Sequence, residues 1–204
     1  MPLIVFEGID GCGKTTQADR LCARLERKRV KPRRLREPGG TALGEAMRLI
    51  LLDSATKACP VAELFGYLQA RAQLCEEVLR PAQARGEVVV LDRFYHSTLA
   101  YQAYGLGLDL TLVRAANALA LGGTEADLAL WFAIDPLEAQ RRRGARDDAK
   151  PDRIESRGFD YLTRVHEGYR VMAEAGELAR IDAAQPPDAV EAAVWALVAP
   201  LLGR

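Results

Sequence analysis

Short runs of continuous apolar residues alternate along the chain with stretches whose apolar residues recur every three or four positions. The first pattern predicts strands buried on both faces, the second predicts amphipathic helices. "PLIVFEG" from Pro2, "GEVVVLDR" from Gly86 and "ADLALWFAID" from Ala126 read as buried strands. "PRRLRE" from Pro32 is a weaker strand, and "LARIDA" from Leu178 a short one. Helical spacing covers "TTQADRLCARLERK", with Ala18, Leu21, Cys22 and Leu25 on one face, and "ALGEAMRLILL" up to about Asp53. One long helix is expected over residues 61–84, then shorter ones over 97–104, 109–121 and "PLEAQRRR". Two more are expected over 157–174 and 187–202. Strand–helix alternation with continuous apolar strands predicts an α/β fold, a parallel five-stranded sheet flanked by helices. No internal repeat or low-complexity linker interrupts it, so a single domain over 1–204 is expected.

Bulk properties narrow the class. Formal net charge is zero over 204 residues, so no nucleic-acid partner is expected. The basic run "RLERKRVKPRRLR" then reads as a solvated face. "LIVF" is too short for a signal segment, and the C-terminal "AVEAAVWALVAPLL" carries Glu191 and Pro200, so no membrane span is expected. Cys12, Cys22, Cys59 and Cys75 lack metal-ligand spacing and read as reduced thiols of a cytoplasmic protein. His96 and His166 have no orienting partner in the sequence and read as structural, and Trp131 and Trp195 read as core.

The chemistry starts at "FEGIDGCGKTT". Gly8, Gly13, Lys14 and Thr15 complete GxxxxGK[ST] between a strand and a helix. Such a loop turns backbone N–H groups and a helix N-terminus toward phosphate oxygens. Lys14 is expected to reach the transferred phosphoryl group, and the Thr15 hydroxyl to hold Mg²⁺. Asp92 and Arg93 end a buried strand, where open α/β sheets bind ligands. An aspartate there suits a metal, and an arginine can bridge two phosphates. "REPGGT", Arg36–Thr41, places a tight turn and another helix start nearby. Arg141, Arg142, Arg143, Arg146, Lys150 and Arg153 form a Gly- and Pro-flanked basic stretch. Taken alone it fits either a solvated loop or a lid that closes over phosphates.

Together "FEGIDGCGKTTQ", "REPGGT", "AELFGYLQAR", "VVLDRFYHSTLAYQ" and "DRIESRGFDYLTRV" resemble the bacterial-type thymidylate kinases, in the same order and over nearly the whole chain. The resemblance implies a P-loop kinase fold with an Arg-rich lid at about residues 141–154, and usually a homodimer. It implies transfer of a phosphoryl group from Mg·ATP to dTMP, giving dTDP for dTTP biosynthesis. On this resemblance Gly8, Ile9, Asp10, Gly11, Cys12, Gly13, Lys14, Thr15 and Thr16 would hold ATP, with Arg142 near the adenine and Thr15 and Asp92 near Mg²⁺. Arg93 and Arg48 would hold the dTMP phosphate, Asp10 would face the sugar hydroxyl, and Glu37 and Pro38 would border the acceptor. Tyr67 would stack on the base, with Phe65 as the alternative, and Arg71 would bond a base carbonyl. Ser97, Thr98 and Gln102 would line the base pocket, and Tyr101 would crowd the 2′ position. Lys14, Asp92, Arg93 and the lid residue Arg153 are the expected catalytic set. Some members of the family carry an arginine in the phosphate loop. Here that position is Gly11, and the basic stretch is the expected source of the charge.

Competing readings are another nucleoside monophosphate or deoxynucleoside kinase, a GTP-driven switch and a nucleic-acid ATPase. The only asparagine is Asn117, so no NKxD element for guanine exists.

Overall fold

The computed structural model describes residues 2–144 and 153–203. Five strands form one parallel sheet: β1 (Leu3–Glu7), β2 (Pro32–Arg36), β3 (Val88–Asp92), β4 (Leu128–Ala133) and β5 (Ala179–Asp182). Their order is β2-β3-β1-β4-β5. The apolar runs become the three central strands, which have both faces covered, and the polar "PRRLR" becomes an edge. Leu3 pairs with Val89 and Phe6 with Asp92 across β1 and β3, and Phe6 stacks on Phe132 of β4 at 5.2 Å. The chain leaves β1 toward one edge and later crosses to the other. The loops after β1 and β3 therefore diverge into a crevice at the C-terminal end of the sheet.

Helices cover both faces: α1 (Lys14–Arg27), α2 (Ala42–Leu52), α3 (Pro60–Leu74), α4 (Arg80–Ala84), α5 (Tyr95–Thr98), α6 (Leu110–Leu121), α7 (Pro136–Gly144), α8 (Phe159–Glu174) and α9 (Pro187–Leu202). In α1 the expected stripe is buried at Ala18, Leu21 and Leu25, with Cys22 at its margin. Trp195 of α9 lies at the edge of the core with Arg24 stacked 4.3 Å over its ring. Among the described residues no helix is long and apolar enough to cross a membrane.

Two helices depart from the sequence expectation. The long helix expected over 61–84 divides, because a π-helical turn at Cys75–Leu79 separates α3 from α4. Pro81 explains the position, since it donates no N–H and its ring crowds the carbonyl of the preceding turn. The helix expected over 97–104 is one turn of α5 followed by a π-helical turn, Leu99–Gly105. The wider turn brings the consecutive residues Tyr101 and Gln102 both to the buried side. α8 packs on that turn, with the Tyr101 ring 6.3 Å from Tyr161 and 6.4 Å from Tyr169.

This packing is close at Gly168, where a Cβ would stand 2.7 Å from two ring carbons of Tyr104. Gly168→Ala is expected to cost about 1–3 kcal/mol, the usual penalty of overpacking, read as a lower urea midpoint at unchanged slope.

Candidate functional site

β1 runs into the phosphate loop, residues 8–13, and the loop runs into α1. Gly13 caps α1 in a left-handed conformation, φ 91°, with no side chain bonded to the first turn. The first N–H groups of α1 thus stay open to an anion. Gly11 has φ 88°, and a Cβ there would stand 2.2 Å from the Ala139 carbonyl oxygen of α7. No side chain fits in that space. Lys14 is buried, its ammonium turned back to the Ile9 carbonyl at 3.2 Å and to Asp10 at 3.5 Å.

The Thr15 hydroxyl donates to Asp92 Oδ2 at 3.0 Å. These oxygens, one from the loop and one from the end of β3, are hard donors of the kind that suits Mg²⁺. Arg34 reaches the same Asp92 oxygen at 3.4 Å, so this part of the basic run faces the site instead of solvent. On the other side of the loop a groove of about 370 Å³ is lined by Gly11, Gly13, Thr16, Gln17, Arg142 and Pro187, among others. Arg142 donates to the Ala183 carbonyl at 2.8 Å and to Glu138 at 2.8 Å.

Next to the loop lies a cavity of about 230 Å³. Asp10, Glu37, Pro38, Arg48, Tyr67, Arg71, Arg93, Ser97, Thr98, Tyr101 and Gln102 all line it. Arg93 stands where cavity and loop meet, with φ 70°, a left-handed backbone at a non-glycine residue. Its guanidinium donates to Asp10 Oδ1 at 2.7 Å, Tyr101 OH at 3.1 Å and Ser97 Oγ at 3.2 Å. Burial works against the Asp10 carboxylate, but Arg93 and Lys14 outweigh it and hold the carboxyl well below its ordinary range. Arg48 is half-buried and close to Arg36, and both effects lower its guanidinium. An anion placed there relieves that crowding.

Tyr67 and Arg71 share a face of α3 and reach the far end of the cavity, whereas Phe65 is 61% exposed on the opposite face. Arg71 is fully buried. It is clamped by Glu37 at 2.5 and 3.0 Å and donates through Nη1 to Thr98 at 2.7 Å and Asn117 at 2.6 Å. Burial raises the Glu37 carboxyl, and Arg71 counteracts it.

Three supports were missed in the sequence. Glu7, fully buried at the end of β1, accepts from Phe94 N–H at 2.8 Å, Ser97 N–H at 3.2 Å, Ser97 Oγ at 2.6 Å and Tyr169 OH at 2.9 Å. Its signal was a lone charge inside an apolar strand. Glu63, buried one turn before Tyr67 on α3, bonds Gln102 and Arg157. Extending the Tyr67/Arg71 spacing backward would have found it. Asn117 was visible as the only asparagine of the sequence, in a helix with few other polar residues.

Arg153 Nη1 lies 2.6 Å from Glu63 and its Nε donates to the Leu51 carbonyl at 2.9 Å, which ties it to α3 and to the C-terminal end of α2. Arg146 and Lys150, and with them the middle of the expected lid, lie outside the described residues. His96 is buried with neither ring nitrogen bonded, and burial lowers it to about 3, so it stays neutral.

Residues 6–194 match the family model described as Thymidylate kinase. A thymidylate kinase of Solidesulfovibrio magneticus is 46% identical, over 98% of this chain and 99% of its own. One of Gloeobacter violaceus is 46% identical, over 88% of this chain and 86% of its own. The crystal structure of thymidylate kinase from Ehrlichia chaffeensis superposes with a TM-score of 0.76 at 27% identity, covering 97% of each chain. The matched region takes in the phosphate loop, the cavity beside it and the helices around both, and the chain belongs to the thymidylate kinase family.

Proposed function

We propose that the protein works as one catalytic domain that moves the γ-phosphoryl group of Mg·ATP to dTMP, releasing ADP and dTDP for dTTP synthesis. The observation that carries this reading is the junction of the cavity with the phosphate loop at Asp10 and Arg93. One nucleotide on each side of that junction meets the other phosphate to phosphate.

The loop N–H groups and Lys14 hold the donor phosphates, and Arg142 borders the adenine. Thr15 and Asp92 would hold Mg²⁺, which would supply charge neutralisation at the donor phosphates. Arg93 and Arg48 hold the acceptor phosphate in line. The acceptor is already an anion, so no general base is needed, and positioning with charge neutralisation supplies the catalysis. Asp10 receives the sugar 3′-hydroxyl, Tyr67 stacks on the base, and Tyr101 closes the space at the 2′ position. Glu37, Pro38, Ser97 and Thr98 shape the pocket walls. Arg153 anchors the return of the lid, and the basic stretch ahead of it supplies the charge that Gly11 cannot carry.

α2, α3 and α6 leave Leu49 at 75%, Phe65 at 61% and Leu119 at 86% exposed. Apolar exposure on three neighbouring helices fits a homodimer interface. We place the protein in the cytoplasm, free of membrane and nucleic acid.

ADP release with Mg·ATP, measured against dTMP, dUMP, UMP, dCMP and AMP in parallel, tests the assignment. Strong preference for dTMP is expected, and equal use of AMP or UMP would move the protein to another monophosphate kinase. Asp10→Asn should lower kcat/KM for dTMP roughly tenfold to a hundredfold, the worth of one charge-assisted hydrogen bond. The folded Asp10 carboxyl lies below its ordinary value of 3.8, so its ion pair is complete above that value and lost only as pH falls further. An acid limb near pH ~6 therefore belongs to the acceptor phosphate and should keep its midpoint in Asp10→Asn. A displaced midpoint would assign the limb to Asp10. Phe65→Glu should convert the dimer to monomer in light scattering, and an unchanged mass would place the interface elsewhere.

A further inference from the structure

Glu63 lies one turn before Tyr67 on α3 and is fully buried. Gln102 Nε2 donates to its Oε1 at 2.9 Å, Arg157 bonds both of its oxygens, and Arg153 lies 2.6 Å away. Burial raises this carboxyl, but Arg157, Gln102 and Arg153 outweigh it and keep it ionised. An ionised carboxylate only accepts hydrogen bonds. Gln102 must therefore turn its NH₂ toward Glu63, and its carbonyl oxygen is the half of the amide left for the cavity that it lines.

Arg71 is restricted in a complementary way. A guanidinium has five N–H donors. Nε and one Nη2 hydrogen go to Glu37, and the Nη1 pair goes to Thr98 and Asn117. One Nη2 donor remains. Glu63, Tyr67 and Arg71 fall at four-residue spacing along α3, so the stacking ring lies between the two fixed groups.

We infer that Glu63 sets base selectivity by locking the Gln102 amide, so that the pocket offers one acceptor beside the single Arg71 donor. That pair matches a pyrimidine with a 4-keto oxygen and an N3–H, as in thymine and uracil. Cytosine presents an amino group at position 4 and a lone pair at N3, and it mismatches both partners. The inference rests on the proposed dTMP reaction and adds a positioning residue to it.

The test compares kcat/KM for dTMP, dUMP and dCMP in the wild type, Glu63→Gln and Arg157→Met. A glutamine at 63 can donate as well as accept, which frees the Gln102 amide to flip. The dTMP-to-dCMP ratio should fall about tenfold or more in Glu63→Gln, because the mispaired edge is no longer penalised. The dTMP-to-dUMP ratio should hold, since those bases share the edge. Arg157→Met removes the first of the groups that keep Glu63 ionised, so it should lower the dTMP-to-dCMP ratio in the same direction as Glu63→Gln and leave the dTMP-to-dUMP ratio in place. An unmoved dTMP-to-dCMP ratio in Glu63→Gln, or an equal shift in dTMP-to-dUMP, would overturn the inference. If Glu63→Gln does not fold, Gln102→Leu serves, and retained discrimination against dCMP there overturns it equally. A wild type inactive on dTMP would instead sink the proposed reaction, whereas an active wild type with unmoved ratios sinks this inference alone.

Discussion

A carboxylate with no contact to water holds the two halves of the site in register. Glu7 sits at the end of β1, one residue before the phosphate loop, and an unpaired charge there would be too costly to keep. Four donors answer it: two backbone N–H groups, the Ser97 hydroxyl and the Tyr169 phenol. Three of them belong to the segment that follows β3, and the fourth belongs to α8. The left-handed turn at Arg93 is thereby fixed against the strand that launches the loop. Donor-side and acceptor-side groups share one anchor and cannot drift apart without unpairing it.

Charge is concentrated locally in a protein with no net charge. Arg36, Arg48, Arg71 and Arg93 gather around the cavity and the adjoining channel. They are not equivalent. Arg71 has surrendered nearly all of its donors to Glu37, Thr98 and Asn117, so it acts as a fixed hydrogen-bonding edge. Arg48 spends one bond on the Pro38 carbonyl and is crowded by Arg36, so it acts as an open charge for an anion. Arg93 does both, and its partners Asp10 and Tyr101 keep its plane in place.

Much of this was legible in the sequence for physical reasons. Continuous apolar runs can be buried only as interior strands, so β1, β3 and β4 were readable, and the glycines before Lys14 fixed the loop. Motif order then located Tyr67, Arg71, Arg93 and Gln102, which the fold brings to one cavity. The π-helical turns were not readable, because a single wide turn leaves no repeating period. Partnership was hidden as well. The sequence displays Arg153 as one more charge in a basic stretch, while Glu63, which captures it, lies far upstream on α3. Arg34 likewise looked like surface until the sheet placed β2 beside Asp92.

The close approach of α7 to Gly11 constrains what lineages of this protein can inherit. With the Ala139 carbonyl 2.2 Å from the place of a side chain, an arginine cannot enter the phosphate loop by a single codon change. α7 would have to retreat first, and α7 carries Arg141 and Arg142. The choice between a side chain at position 11 and a closely packed α7 is thus set by one backbone oxygen, and this chain has taken the packed helix.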